Sequence, residues 1–366
     1  MASKIFLIGA TGYIGGDAFY ALYEAHPEFD YTLLVRNQSR ADVVTKAFPD
    51  AKNIHFVFGS LDSADVISAA AAAADVVLHT GNSADDQPST KAIVDGLVKG
   101  HTAGKPGVYI HISGTGLLTW YDDSNKRFGF PPLADQTYND WDGVERLVSG
   151  MPDVALHRDV DLIIINAAKA HPDSLRTAIV APPTIYGPGR GPGNKHSVQV
   201  PGMCEYLLKT GYAPVAEGSG ETIWDNVHVR DLSALLVSLV EAGLNPEQRD
   251  NTGGNVAPGG IFGSHAYYFA IAATHKWSDV AKMVAASAAK QGFVPDATVK
   301  SEAIDVLLAE NAPTHPRTNQ TWAANSHGEP VRAAKLLGWK TVNPTLEESI
   351  PGDLAEVAAR LGIAKK

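Results

Sequence analysis

The feature that most constrains this chain is a glycine-rich segment near its start, GATGYIGG, which follows directly on the apolar stretch KIFLI. A helical pattern comes next, so Gly9, Gly12 and Gly15 stand in a strand–turn–helix context. Glycines in such a turn let the backbone approach a pyrophosphate, and the unpaired N–H groups at the start of the helix attract its negative charge. The segment therefore predicts a dinucleotide site in a Rossmann-type domain.

Short β-branched runs alternate with longer helical stretches through the first half of the chain. Because this alternation is typical of βαβ units, it predicts an α/β fold with a doubly wound parallel sheet that is covered by helices on both faces. The predicted strands are KIFLIG, YTLLVR, IHFVFG, DVVLHT, VYIHIS and RTAIVAP. The predicted helices are DAFYALYEA, ADVISAAAAA, TKAIVDGLVKG and the stretch around DGVERLVSG.

The regular alternation ends near Gly187, where the loop GPGRGPGN begins. This change predicts an NAD(P)-binding domain over residues 1–186 and mainly a smaller substrate-binding lobe over residues 187–366. A segment near 223–243 carries another helical pattern, and we expect it to return to the first domain. The substrate lobe is then discontinuous in sequence.

Charge and composition favour small-molecule partners. The formal net charge is -10 and no basic run offsets it, which argues against nucleic acid or an anionic membrane as a partner. We expect a cytoplasmic protein, because no leader pattern opens the chain and no apolar run reaches membrane-spanning length. Cys204 is the only cysteine, and the histidines lack the spacing of zinc motifs, so we expect no metal. The oligomeric state stays open, with a homodimer among the alternatives.

The end of the second predicted strand indicates which dinucleotide is bound. A site that prefers NAD places an acidic residue there, whereas this chain has Arg36 in LLVRN. A guanidinium can pair bidentately with a 2′-phosphate and stack on adenine, and Arg40 close by adds further donors. The sequence therefore predicts NADP(H). After the third strand, Asp62 in GSLDS is placed to accept a hydrogen bond from the adenine amino group.

Together these segments resemble the extended short-chain dehydrogenases/reductases, the superfamily of NAD(P)-dependent epimerases, dehydratases and dihydroflavonol-type reductases. GATGYIGG is similar to the glycine motif of that superfamily and GSLDS to the segment with its adenine-contacting aspartate. The other matching segments are HISGTG, similar to its active-site serine strand, APPTIYGPG, similar to its nicotinamide-facing loop, and WDNVHVRDLS, similar to a later segment on the substrate side. The resemblance extends over nearly the whole chain.

The resemblance also implies roles for individual residues. A hydroxyl, either Ser113 or Thr115, would polarise the substrate oxygen, and Ser113 is the preferred candidate. The implied cofactor contacts are Gly9, Thr11, Gly12, Tyr13 and Ile14 at the pyrophosphate, Arg36 at the 2′-phosphate, Leu61 and Asp62 at the adenine, Thr80, Gly81 and Asn82 at the ribose, and Pro182, Thr184 and Ile185 near the nicotinamide.

One motif of that superfamily is missing. Its catalytic Tyr-x-x-x-Lys pair uses the lysine to lower the pKa of the tyrosine, but none of the twelve tyrosines here is followed by lysine four residues later. At the expected place the chain reads ALHRDVDLIIINAAK, which aligns His157 with the tyrosine and Asp161 with the lysine. Four residues apart on a helix, the two would share a face, and the carboxylate would favour a protonated imidazole that acts as a general acid. The alternative is a solvated His–Asp pair on a surface helix.

Three functions agree with this sequence. The favoured one is an atypical NADP(H)-dependent oxidoreductase that acts on a carbonyl or hydroxyl group of a small metabolite, because the HISGTG and substrate-side segments are retained. A non-catalytic NADP(H)-binding redox sensor would explain the loss of the Tyr–Lys pair, and a non-redox lyase or isomerase on the same fold is the third alternative. The aromatic residues considered as the lining of a substrate pocket are Trp120, Tyr121, Trp141, Tyr186 and Trp224. A pocket lined by these side chains would favour an aromatic substrate.

Overall fold

The computed structural model describes residues 2–254 and 256–365. Its strands are β1 (Lys4–Ile8), β2 (Asp30–Val35), β3 (Ile54–Phe58), β4 (Val76–His79), β5 (Gly107–Ile112), β6 (Thr137–Asn139), β7 (Leu175–Ala181), β8 (Thr184–Tyr186), β9 (Ala213–Ala216), β10 (Ile223–His228), β11 (Tyr267–Phe269), β12 (Ala273–Lys276), β13 (Val299–Glu302) and β14 (His327–Glu329). Its α-helices are α1 (Tyr13–Ala25), α2 (Gln38–Ala47), α3 (Ala64–Ala73), α4 (Gln87–Gly100), α5 (Trp120–Asn125), α6 (Glu145–Val148), α7 (Arg158–Ala170), α8 (Gln199–Thr210), α9 (Val229–Leu244), α10 (Pro246–Arg249), α11 (Trp277–Lys290), α12 (Ile304–Leu307), α13 (Pro316–Thr321), α14 (Arg332–Leu337) and α15 (Leu346–Leu361).

A seven-stranded sheet in the order β11-β7-β5-β4-β1-β2-β3 forms the centre of the molecule. All of its neighbouring strands pair in parallel. The predicted doubly wound α/β fold is confirmed, and each of the six predicted strands is present. Strand β11 was not predicted, because it is three residues long and follows an irregular segment. The helix expected around DGVERLVSG is limited to the four residues of α6.

Side chains of β1 show how the sheet is covered on both faces. Ile5 and Leu7 belong to the core on the side of α1 and α9, whereas Phe6 and Ile8 belong to the core on the side of α3, α4 and α7. This alternation is the two-residue period of a strand. Both sets are buried, and a fully buried side chain of this size contributes about 1.5–3 kcal/mol. The near-continuous apolar strands follow from burial on both faces.

A second body lies mainly in the later part of the chain. Helices α8, α11 and α15 pack around a third core that includes Met203, Trp277 and Leu354. Two later elements return to the central sheet, since α9 packs on α1 and β11 pairs with β7.

Among the described residues, no helix combines the length and the apolarity needed to cross a bilayer.

A buried ion pair ties the loop after β8 to α1. Asp17 is fully buried, and its Oδ1 accepts hydrogen bonds from the backbone N and the Nε of Arg190 at 2.8 and 3.0 Å. Its Oδ2 accepts from Arg190 Nη2 at 2.9 Å and from Ser233 Oγ of α9 at 2.6 Å. Burial alone would raise the pKa of Asp17, but these donors lower it below its usual value. The pair joins α1, α9 and the loop.

We expect Asp17→Asn to destabilise the protein by about 2–4 kcal/mol at neutral pH, because it leaves the Arg190 guanidinium with only the exposed Glu24, 3.7 Å away, as a countercharge. The lowered pKa of Asp17 means that this contribution is present above the ordinary value of 3.8 and is lost as the pH falls through the lowered value. Urea unfolding at several pH values checks both points. The exposed Asp42→Asn is the matched control, and equal effects of the two substitutions would contradict the prediction.

Candidate active site

The loop between β1 and α1 closes against the end of β4. Gly9 has a φ of 102°, a conformation that favours glycine, and a Cβ at this position would lie 2.4 Å from Thr80 Oγ1. A Cβ at Gly15 would lie 2.1 Å from the same oxygen. That hydroxyl is held in place because it donates to Ile8 O at 2.7 Å. The loop can adopt this position only with glycine at both points.

A cavity of about 600 Å³ lies at the carboxyl edge of β1, β2, β3 and β4, and we call it the cofactor cavity. It contains eight of the predicted cofactor residues. Its lining consists of Ile8, Gly9, Thr11, Gly12, Leu34, Val35, Arg36, Arg40, Gly59, Ser60, Leu61, Asp62, Gly81, Asn82, Asp86 and Asn194. The carboxyl edge beside the strand-order reversal at β1 is where doubly wound sheets bind dinucleotides.

The residues of this cavity fit a phosphorylated dinucleotide. The first turn of α1 follows the glycine loop, so its free N–H groups are available to a pyrophosphate. Within the part of the chain that the structure describes, neither Arg36 nor Arg40 forms a salt bridge. Their guanidinium groups are therefore available for an anionic ligand at the end of β2.

The other predicted cofactor residues do not line this cavity. Tyr13 begins α1, but its hydroxyl donates to Gly187 O at 2.5 Å. Ile14 and Ile185 pack against the core on the α1 side, and Thr184 is fully buried. The predicted residues whose side chains lie outside the cofactor cavity are Tyr13, Ile14, Thr80, Pro182, Thr184 and Ile185.

Asn194 is a residue of the cofactor cavity that sequence reasoning missed. It lies in the loop after β8, and its backbone N donates to Thr11 O at 3.0 Å. A Cβ at the preceding Gly193 would lie 2.2 Å from the same oxygen, so glycine is required for this approach. The density of glycine in GPGRGPGN, which predicts a domain boundary, is also the sequence signal for this close approach.

A second cavity, of about 310 Å³, lies at the carboxyl edge of β5 and β7, and we call it the reaction cavity. Asp85 lines it, while Asn82 and Asp86 of the same segment line the cofactor cavity. The complete lining consists of Asp85, Gly114, Thr115, Gly116, Thr119, Leu156, His157, Pro182, Pro183, Gln199, Trp224, Arg317, Gln320, Thr321 and Ala324. The two cavities are thus adjacent along residues 82–86.

His157 lies at the wall of the reaction cavity, just before α7. It is the N-cap of that helix, with a φ of 67° in the left-handed region. Its Nδ1 lies 2.8 Å from Asp85 Oδ1, and this bond lowers the pKa of Asp85. A Cβ at Gly114 or Gly116 would lie 3.2 or 3.3 Å from His157 Nε2. One ring nitrogen is therefore held by a carboxylate, and the other lies beside glycines that line the cavity.

The predicted contact between His157 and Asp161 is wrong. Spacing of four residues brings side chains together only within a helix, and His157 precedes α7 in a left-handed conformation. The alternative of a solvated surface pair is also wrong, because Asp161 is fully buried. Its Oδ2 accepts hydrogen bonds from Ser113 Oγ at 3.0 Å and from the Tyr267 hydroxyl at 2.8 Å.

Asp161 belongs to a buried polar network beneath the reaction cavity. His111 Nε2 lies 3.8 Å from Asp161 Oδ1, and neither atom has a hydrogen-bond partner among the described residues. His111 Nδ1 lies 3.1 Å from the Tyr109 hydroxyl. Burial raises the pKa of Asp161 to about 6 although Tyr267 and Ser113 donate to it, and burial lowers the pKa of His111 well below its usual value. Burial thus disfavours the charged forms of both side chains.

The two candidate hydroxyl groups have different surroundings. Ser113 Oγ donates to Asp161, and Ser113 is not part of the lining of the reaction cavity. Thr115 is part of that lining, and its buried Oγ1 has no hydrogen-bond partner in the described part of the chain. Of the two hydroxyl groups, that of Thr115 is therefore the one without a partner among the described residues.

Of the five aromatic residues considered for a substrate pocket, Trp224 lines the reaction cavity. Trp120 Nε1 donates to the Tyr138 hydroxyl at 2.7 Å, and the Tyr186 hydroxyl donates to Pro344 O at 3.0 Å. The aromatic residues that do not line the cavity are Trp120, Tyr121, Trp141 and Tyr186.

The fold and the cofactor cavity define a protein of the nicotinamide-dinucleotide-binding class. Residues 9–130 match a family model described as NAD(P)H-binding. The chain is 34% identical over 365 residues to a protein named oxidase ucsJ from an Acremonium species, and the match covers 100% of both chains. Identity of this extent shows that the chain belongs to the same family as that protein.

Solved structures confirm the fold. The dTDP-glucose 4,6-dehydratase DesIV from Streptomyces venezuelae, with NAD and TYD bound, has a TM-score of 0.62 and 13% identity, covering 98% of this chain and 97% of that one. UDP-glucose 4-epimerase from Thermotoga maritima, with UDP-glucose, has a TM-score of 0.60 and 14% identity, covering 98% of this chain and 99% of that one. The predicted resemblance is thus confirmed at the level of the fold, and the family model supports an NAD(P)-binding domain.

We expect Asp161→Asn to make the protein more stable than the wild type above pH 6, by up to about 3 kcal/mol. The raised pKa of Asp161, about 6, means that the folded state favours the protonated carboxyl. Wild-type stability therefore falls as the pH rises from about 4 to about 6. Asparagine still accepts from Ser113 and Tyr267, but it cannot ionise.

Denaturant unfolding of both proteins from pH 4 to pH 8 checks this expectation. The difference in unfolding free energy should grow between about pH 4 and pH 6 and then remain constant. The exposed Asp95→Asn on α4 is the control, and its difference from the wild type should not follow this course. A pH-independent difference for Asp161→Asn would show that this carboxyl does not titrate in that range.

Proposed function

We propose that this chain is an NADP(H)-dependent oxidoreductase that acts on a carbonyl or hydroxyl group of a small, largely apolar metabolite. The observation that carries the proposal is the pair of Asp85 and His157. The carboxylate holds one ring nitrogen at 2.8 Å, while the other ring nitrogen lies beside Gly114 and Gly116 at the wall of the reaction cavity. A histidine oriented in this way is suited to move a proton to or from a substrate oxygen.

The preference for NADP(H) is supported by the end of β2. Arg36 and Arg40 both line the cofactor cavity there, together with Ser60. A 2′-phosphate could accept hydrogen bonds from both guanidinium groups, and such charge-assisted bonds are stronger than neutral ones. An NAD-preferring site would instead place a carboxylate at this strand end.

The chemistry needs a hydride donor and a proton donor. When bound, the nicotinamide supplies a hydride to the substrate carbon, or accepts one from it. In the reducing direction, protonated His157 would give its Nε2 proton to the carbonyl oxygen, so that the carbonyl becomes a hydroxyl group. In the oxidising direction, neutral His157 would accept the hydroxyl proton. Asp85 would orient the ring and stabilise its charged form.

The hydroxyl of Thr115 would bind the reacting oxygen. It lines the same cavity as His157 and lacks another partner among the described residues, so it can donate a hydrogen bond where negative charge develops. Ser113 and Asp161 would then be positioning residues. Their hydrogen bond of 3.0 Å joins the end of β5 to α7, and Gly114, which follows Ser113, lines the cavity.

We expect Arg36→Ala to raise the Kd for NADPH by about 10–100-fold and to leave the Kd for NADH within about twofold, because only NADPH carries the 2′-phosphate. Titration of nicotinamide fluorescence with each cofactor measures both constants. The control is Lys46→Ala, which removes one positive charge from the exposed end of α2. Equal losses for NADPH and NADH would place the 2′-phosphate elsewhere.

We expect His157→Ala to lower kcat by about 10²–10⁴-fold without weakening NADPH binding, because it removes the proton donor and spares the cofactor cavity. The assay follows NADPH absorbance with a panel of aromatic aldehydes and ketones, and NADP⁺ reduction with the corresponding alcohols. Asp85→Asn should also lower kcat, since it releases the ring from its fixed orientation.

His171→Ala, at the other end of α7, is the control for this series and should keep full activity. A wild-type rate in the His157→Ala variant would remove His157 from the mechanism. If the wild type binds NADPH but reacts with no member of the panel in either direction, the oxidoreductase proposal fails and a redox sensor or a non-redox enzyme takes its place.

A further inference from the structure

The reaction cavity contains hydrogen-bond donors that the proposed proton transfer does not use. Trp224 is 3% exposed, and its indole Nε1 has no hydrogen-bond partner within the described residues. A buried donor without a partner costs about 1–3 kcal/mol. Since Trp224 lines the cavity, a ligand with an acceptor atom could recover that cost.

The cavity is lined by one carboxylate, one imidazole and one guanidinium. These belong to Asp85, His157 and Arg317, and Asp85 lies 2.8 Å from His157 Nδ1. Arg317 is exposed, and it has no ion-pair partner in the part of the chain that is described. Arg317 is therefore the one permanent cation of the lining. Its charge helps to lower the pKa of Asp85, but less than the hydrogen bond from His157 does.

The walls of the cavity are apolar. Leu156, Pro182, Pro183 and Ala324 line it together with the ring of Trp224. A volume of about 310 Å³ is at the low end for ligand sites. The cavity therefore fits a compact body about the size of one or two rings better than a nucleotide-linked molecule.

We infer that the substrate is a carboxylate-bearing, otherwise apolar molecule whose carboxylate is bound by Arg317, with the indole N–H of Trp224 as a second donor. A carboxylate fits better than a phosphate because Arg317 is the one permanent cation among the residues that line the cavity, and one guanidinium matches the single negative charge of a carboxylate. The inference rests on the proposed function in placing the reaction in this cavity, and it adds the class of substrate.

Two probes of the same shape test this inference on the full chain saturated with NADPH. Phenylacetate carries the carboxylate, whereas phenylacetamide has a neutral amide in its place. We expect phenylacetate to bind at least about tenfold more tightly, as measured by calorimetric titration. Arg317→Gln should abolish this preference, and Arg317→Lys should restore part of it.

Two further variants separate a specific role from a structural one. Lys340→Gln removes an exposed positive charge outside both cavities and should leave the preference intact. Trp224→Phe keeps an apolar ring but removes the N–H, so it should weaken the binding of both probes severalfold. The binding measurement does not require turnover, so it tests this inference separately from the proposed reaction. If the chain binds phenylacetate through Arg317 but never consumes NADPH, the proposed reaction is refuted and this inference is supported. Equal binding of the two probes, no phenylacetate binding, or a preference that survives Arg317→Gln would overturn it.

Discussion

The closure of the first loop onto β4 is the constraint on which the rest of the structure depends. Thr80 Oγ1 is bound to Ile8 O, and the loop passes so close to this hydroxyl that Gly9 and Gly15 leave no room for a Cβ. This contact sets the start of α1 relative to the central strands. The floor of the cofactor cavity, the position of α1 against α9 and the docking of the later loop on Asp17 all follow from it.

The proposed proton chemistry differs electrostatically from that of a Tyr–Lys pair. A lysine stabilises a phenolate by its positive charge, but the sequence alignment places Asp161, a buried carboxyl with a pKa of about 6, at the lysine position. The proposed Asp85–His157 pair reverses the arrangement, since the proton carrier would be an imidazole whose charged form a carboxylate stabilises.

Local patterns allowed much of the fold and part of the site to be predicted. The six strands and the glycine loop could be predicted because each depends on residues close together in sequence, and the same holds for the position of Arg36 at the end of β2. Contacts between residues far apart in sequence could not be predicted. Asp85 and His157 are 72 positions apart, and Asp161 and Tyr267 are 106 apart. The left-handed N-cap at His157 also has no sequence signature, so spacing alone suggested a helical pair that does not exist.

The docking of Arg190 on Asp17 limits how this architecture can be modified. The loop that carries Arg190 also supplies Asn194 to the cofactor cavity and leads directly into α8 of the second body. The two bodies are therefore not interchangeable modules that meet at a simple linker. A chimera that joined the later body of this chain to the first body of a relative would need a carboxylate at the position of Asp17. Without it, Arg190 would lose its buried partner, and the loop would no longer hold Asn194 at the wall of the cofactor cavity. Substrate range in such a family should change more readily through single side chains in the reaction cavity than through exchange of whole lobes.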